Sequence, residues 1–165
     1  MRTVRARTWI VGLGTVWLAG CGAPQRVTVD HAWVRLSAVK ANPAAAYFTI
    51  HGGPNDRTLI AVSADAAVKA EMHETMKTET GKTGTTKTGT MKTVRGMTTM
   101  EPVDAVPVPA NAEIAFKPGA RHVMLFNVNP GIKPGSAMTL TFAFSNGDRI
   151  VERAAVIAAG DPAPQ

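Results

Sequence analysis

Two soft metal donors stand two residues apart in the segment ARHVMLFNV, namely His122 and Met124. The neighbouring Val123, Leu125, Phe126 and Val128 favour an extended, buried setting, and in a strand residues i and i+2 point to one face. An imidazole and a thioether therefore emerge side by side. The chain holds histidines at 31, 51, 73 and 122 and, beyond Met1, methionines at 72, 76, 91, 97, 100, 124 and 138, most of them between 72 and 124. Thioether sulfur is a soft, neutral donor that selects copper in its +1 state, whereas imidazole serves several metals. Two His and two Met would hold Cu(I) without a thiolate, which suits an oxidising compartment where free thiols are lost. Neutral donors add no charge to that of the ion, which discourages Cu(II) and lets the ion leave by ligand exchange. A blue-copper electron-transfer site needs a cysteine ligand, and the one cysteine here, Cys21, lies far upstream in a different setting.

The elements that must position these donors read as short strands. VTVDHAWVRLS (27–37), AAAYFTIHG (44–52), RTLIAVSAD (57–65) and AVKAEMHETM (67–76) precede a low-complexity stretch, and AEIAFKPG, RHVMLFNV, AMTLTFAFSNG and RIVERAAVIA follow it. Each is bounded by turn residues such as KPGA, NPGIKPGS and SNGD, so about eight strands at this spacing predict one all-β domain, a sandwich or barrel. Between them, TTMEPVDAVPVPA is broken by Pro102, Pro107 and Pro109, which confines any strand there to an edge or a short piece. A length of 165 residues with 45% apolar content accommodates one core and not two. Trp33 and Tyr47 read as core aromatics, and His31 and His51, near strand ends, as surface or structural residues. Met72 precedes His73 and so points to the opposite face, toward packing.

The stretch KTETGKTGTTKTGTMKTVRGMT (77–98) holds nine threonines and four glycines, with lysines every five residues at 77, 82, 87 and 92. Its apolar surface is too small to offset ordering entropy, so a mobile loop is expected, with a protruding β-ribbon as the rival reading because threonine tolerates strands. The charge balance is equally local. The chain carries 18 basic and 12 acidic residues. Without Arg2, Arg5 and Arg7 the excess is +3, and Lys77, Lys82, Lys87, Lys92 and Arg95 against Glu79 account for +4, so the remainder stands near −1. Nothing in that distribution suggests nucleic acid as a partner.

MRTVRART followed by WIVGLGTVWLAG has the build of a secretory signal, a basic start and an apolar run too short to span a bilayer in comfort. LAGC at 18–21 resembles the lipobox of bacterial lipoproteins, in which the cysteine is lipidated and becomes the mature N-terminus. The expected organisation is a signal peptide at 1–20, a lipidated tether at 21–26, a domain at 27–157 with an insertion at 77–98, and a tail at 158–165. Acylation of Cys21 would anchor the domain to a membrane and remove the last thiol from chemistry. Gly22 stands where an inner-membrane retention signal has Asp. The expected location is therefore extracytoplasmic, facing the periplasm of a two-membrane bacterium, with the outer membrane favoured.

The chain resembles the PCu(A)C family of periplasmic copper chaperones, whose pattern is a His, a Met, 21 residues, then His-x-Met. Met100 and His122 enclose 21 residues, His122-Val123-Met124 closes the pattern, and His73 in AEMHE supplies the first His. DHAWVR, AAYFTI, FKPGARHVMLFNV and GSAMTLTFAFSNGDRIV extend the likeness over roughly residues 27–157. One departure is the 26 residues between His73 and Met100, where the family has about ten; the excess is the Lys/Thr/Gly stretch, inserted between two ligands. It also leaves Met76, Met91 and Met97 as additional thioethers.

The resemblance implies a cupredoxin-like Greek-key β-sandwich and a Cu(I) carrier, not an enzyme, with His73, Met100, His122 and Met124 as ligands. It further implies delivery of the ion to a copper-accepting protein, such as a respiratory oxidase subunit or its assembly factor. Two other readings compete: a membrane-tethered binding or scaffold module without a working metal site, and a copper buffer in which Met76, Met91 and Met97 hold further ions. No sequence motif supports a hydrolytic triad.

Overall fold

The computed structural model describes residues 26–77 and 98–164. The expected leader and Cys21, Met91 and Met97, and all of the Lys/Thr/Gly stretch except its bounding Lys77 and Thr98 lie outside the described residues. Ten strands form where about eight were expected: β1 (Thr28–Arg35), β2 (Ala44–His51), β3 (Arg57–Ala64), β4 (Ala67–Lys77), β5 (Thr98–Pro102), β6 (Val106–Val108), β7 (Glu113–Phe116), β8 (His122–Val128), β9 (Ala137–Phe144) and β10 (Arg149–Ile157). The eight expected strands are all present, and the two extra ones, β5 and β6, come from the proline-broken segment. Both sit at the ends of the strand order β5-β4-β8-β2-β1-β10-β9-β3-β6, with β7 pairing β2 off that path. Proline cannot donate to a ladder on both sides, so Pro102 and Pro107 are tolerated there and would not be inside the sheet.

Pairing is antiparallel except for β1 with β10. The hydrogen-bonded path folds over itself. Phe48 of β2 meets Phe142 of β9 edge to face at 4.6 Å between ring centres and stacks on Phe116 of β7 at 4.3 Å. β2 and β9 are separated by two strands in the sheet order, so this contact crosses an enclosed core, as a β-sandwich requires. Period-two alternation fills that core: Met138, Leu140, Phe142 and Phe144 of β9, Ala46, Phe48 and Ile50 of β2, and Val123 and Leu125 of β8 are buried, with the intervening side chains turned outward.

β1 departs from strict alternation. Its ladder with β2 shifts register between Asp30 and Trp33, and His31 adopts a left-handed conformation with φ 49°. The bulge changes the parity of the strand, so Val29 and Val34, five positions apart, both enter the core. Trp33 is thereby turned to the outer face.

Phe142 touches both faces of the sandwich interior, and its truncation leaves a cavity that neighbouring strands cannot close. Phe142→Ala is expected to lower unfolding stability by about 3–5 kcal/mol, read as a reduced urea midpoint at unchanged slope by far-UV circular dichroism.

Candidate metal centre

The outer face of β5-β4-β8 gathers the chemistry-bearing residues. β4 and β8 pair so that Lys69 faces Phe126, Glu71 faces Met124 and His73 faces His122. On the other side of β4, His73 faces Pro102 and Thr75 faces Met100. Directly paired residues share a face, as do residues two apart. His73, Met100, His122 and Met124 therefore all project from the same side of three adjacent strands, opposite to the core side that takes Met72, Val123 and Leu125.

Within that face the four are not equidistant. His73, His122 and Met124 are immediate neighbours, whereas Met100 lies on the opposite diagonal, one strand further out and two residues along from His73. The two imidazole rings are nearly parallel, 25° apart, with centres separated by 6.0 Å. With metal–imidazole bonds of about 2 Å, two rings at that separation can share one ion between them. Exposure grades outward across the group: His122 is 7% exposed, the His73 side chain 13% and Met100 59%. Met76, on the core-facing parity of β4 but beyond the core, is exposed and does not join this face.

The nitrogens are differentiated. His122 Nδ1 lies 3.0 Å from the carbonyl oxygen of Ala120 and donates to it, which leaves Nε2 as the lone-pair nitrogen. His73 Nε2 faces Glu71 Oε2 at 3.4 Å, while its Nδ1 is buried without a hydrogen-bond partner among the described residues. Such an orphan is uncommon in a folded protein and points to a missing partner. Glu71 is gripped on its other oxygen by Lys69 at 2.5 Å. The hydrogen bond from Lys69, then that from His73, holds its carboxyl below the usual carboxylate range. Among the described residues no group of three or more His, Cys, Asp or Glu is arranged to hold a metal; the thioethers of Met124 and Met100 are the other donors on this face.

A row of aromatics continues the imidazole pair across the sheet. Tyr47 lies 6.5 Å from His122 between ring centres, and Trp33 lies 4.3 Å from Tyr47. Arg35 caps the row with its guanidinium 4.9 Å from the Trp33 ring centre. Both aromatics are buried, as expected, but outside the main core cluster: they pack against the side of the sheet that carries His73 and His122. Tyr47 alternates with the buried Ala46 and Phe48 and so faces away from the main cluster, and the β1 bulge turns Trp33 to the same side. His31 and His51 take the structural part expected of them. Asp30 accepts from both, at 2.8 Å and 3.0 Å. Burial is the largest single influence on the Asp30 carboxyl and raises its pKa, but the hydrogen bonds from His31 and His51 and their charges together outweigh it, so the pKa lies below the ordinary value.

A family model described as LpqE-like matches residues 27–156. Among solved structures, the copper-bound PCuAC domain from PmoF2 superposes with a TM-score of 0.59 at 19% identity, covering 82% of this chain and 96% of that chain. The apo PCuAC domain from PmoF1 gives 0.57 at 23% identity, covering 81% and 95%, and CuI-DR1885 from Deinococcus radiodurans 0.57 at 21%, covering 84% and 83%. These likenesses bear out the expected fold. The uncharacterized protein RP573 of Rickettsia prowazekii (strain Madrid E) is 28% identical over 115 residues, which is 68% of this chain and 55% of the relative. The chain thus spans about half the length of that relative.

Burial raises the Tyr47 hydroxyl above its ordinary pKa, against a smaller lowering influence of Arg35. The unfolded chain ionises first, so the stability that neutral Tyr47 contributes is intact below about pH 10 and is lost as pH rises from there through the folded value. Tyr47 is the only tyrosine, and absorbance at 295 nm is expected to show a single phenolate transition with its midpoint above that of the urea-unfolded chain.

Proposed function

The chain belongs to the LpqE-like family and has the fold of PCuAC domains, and on that premise we propose that it is an extracytoplasmic Cu(I) metallochaperone. The observation that carries the reading is the directly paired His73 and His122, with one lone pair assigned to His122 Nε2 and one unpartnered nitrogen on His73, and Met124 alongside. Two imidazoles and a thioether are neutral donors of the softness that Cu(I) prefers. Met100, on the neighbouring edge strand and largely exposed, is the fourth donor and closes the site from its outer side. The Trp33–Tyr47 wall keeps bulk water from the flank of His122.

Cu(I) is cargo in this reading. An acceptor displaces the donors one at a time, beginning at Met100, and no acid, base or nucleophile takes part, so the protein is not an enzyme. Copper-loaded domains of the same fold support that choice of ion. The acceptor is a copper-binding protein of a respiratory oxidase or its assembly machinery, as the resemblance to the PCu(A)C family implies. Cys21 at the end of a secretory-type leader is lipidated and holds the domain at the membrane, facing the periplasm in a two-membrane bacterium.

The insertion between His73 and Met100 is compatible with the site. Its bounding residues Lys77 and Thr98 are cross-strand partners, so the ladder closes before the extra residues begin. Lengthening a flexible loop costs only about 0.6 kcal/mol per doubling.

Anaerobic titration of the purified full chain with Cu(I), against a chromogenic chelator, is expected to show one tight equivalent. The His122→Ala/Met124→Ala double variant is expected to lose roughly 100-fold or more in affinity, and Met100→Leu to lose less. Failure of the unmodified chain to compete would overturn the copper reading in favour of a tethered module, and several equivalents would favour a buffer. Separately, Cys21→Ser is expected to abolish incorporation of radiolabelled palmitate in cells and to release the protein from the membrane fraction.

A further inference from the structure

The orphaned nitrogen of His73 and the carboxylate beside its other nitrogen are two observations that have one explanation. Glu71 lies two residues before His73 on β4, on the same face and directly opposite Met124. Its Oε2 is 3.4 Å from His73 Nε2 and its Oε1 is held by Lys69, whose ammonium in turn stands 5.6 Å from the centre of the Phe126 ring. The carboxylate is therefore fixed from behind and presents an acceptor to the imidazole.

A neutral imidazole carries its proton on one nitrogen only. With the proton on Nε2, that nitrogen donates to Glu71 and Nδ1 is a bare lone pair, buried and without a donor among the described residues. With the proton on Nδ1, a buried N–H would have no acceptor and the Nε2 lone pair would face an anionic oxygen. Both consequences are unfavourable, one through a lost hydrogen bond and one through repulsion. Resting on the metal-site reading above, we propose that Glu71 is a positioning residue: it fixes His73 as the Nε2–H tautomer, so that copper is taken on Nδ1 of His73 and on Nε2 of His122. A carboxylate that orients a ligating imidazole and raises its basicity is a recurrent device around metal ions. Lys69 balances the charge, so the site gains orientation without becoming anionic, which would favour Cu(II) over Cu(I).

The test uses the full chain labelled with ¹⁵N in histidine and loaded with one equivalent of Cu(I), which is diamagnetic. Two-bond ¹H–¹⁵N correlation spectra are expected to show Nε2 of His73 still protonated and Nδ1 shifted by the metal, with the opposite pattern at His122. Glu71→Ala is expected to weaken Cu(I) binding 10- to 100-fold at unchanged thermal midpoint, and Glu71→Gln, which keeps an acceptor oxygen, to recover part of the loss. Metal on Nε2 of His73, or an unchanged affinity in Glu71→Ala, would overturn the proposal while leaving the copper site standing. Absence of Cu(I) binding by the unmodified chain would remove both.

Discussion

The cross-strand pairing of His73 with His122 is the constraint on which the site depends. In an antiparallel ladder a slip of one residue turns every side chain to the other face. Such a slip of β8 would turn His122 and Met124 toward the interior, away from His73, and expose Val123 and Leu125. The register is therefore set by the core, not by the metal. Val123 and Leu125 are fully buried, and Met72 packs with them from β4. The apolar alternation that specifies the sandwich also puts the two rings 6.0 Å apart before any ion is present. A site arranged this way is preorganised at its inner half.

Support for that inner half comes from ordinary polar satisfaction. His122 is held by the Ala120 carbonyl, within the turn that leads into β8, and His73 by Glu71 on its own strand. Each imidazole is thus oriented by a local neighbour rather than by a distant loop, and the aromatic row from Tyr47 to Trp33 limits how far His122 can tilt. Arg35 joins this row to the C-terminal segment through a hydrogen bond to the carbonyl of Asp161. The metal-facing side of the sheet is consequently packed on one flank and open on the other, toward β5.

Much of this was legible from spacing. His122 and Met124 on one face, Met72 on the other, eight strands, and prolines at the edges all follow from period-two geometry and the chemistry of proline. Trp33 was not legible, and the reason is specific. Val27, Val29 and Trp33 occupy alternate positions, so a regular strand would bury Trp33 with Val29, but the bulge at His31 reverses the parity and buries Val34 instead. Nothing in the local sequence of Asp30 and His31 marks a bulge as Gly would; Asp30 contacts the adjacent His31 and, as a tertiary contact, His51 of β2. Glu71 was overlooked for a different reason: the same alternation that placed His73 places Glu71 beside it, and attention to soft donors passed over the hard one. The relation between Met100 and the other three could not be read either, because it depends on how β5 pairs with β4 after the insertion.

The placement of that insertion bears on how the proposed carrier would both hold and surrender its cargo. A side chain on β8 or β4 is flanked by strands on both sides and moves only if the ladder opens, whereas β5 is an edge strand whose only neighbour among the described residues is β4. Local opening is cheapest at edges, where fewest hydrogen bonds and buried contacts are lost. The extra chain is attached beyond the Lys77–Thr98 pair, at the end of the ladder that carries this edge strand. The thioether on that edge is also the donor that solvent reaches first. In the proposed carrier, firm holding by the inner imidazoles and release at the outer thioether would both follow from one strand order, because the core fixes His122 and His73 while leaving Met100 on an edge strand.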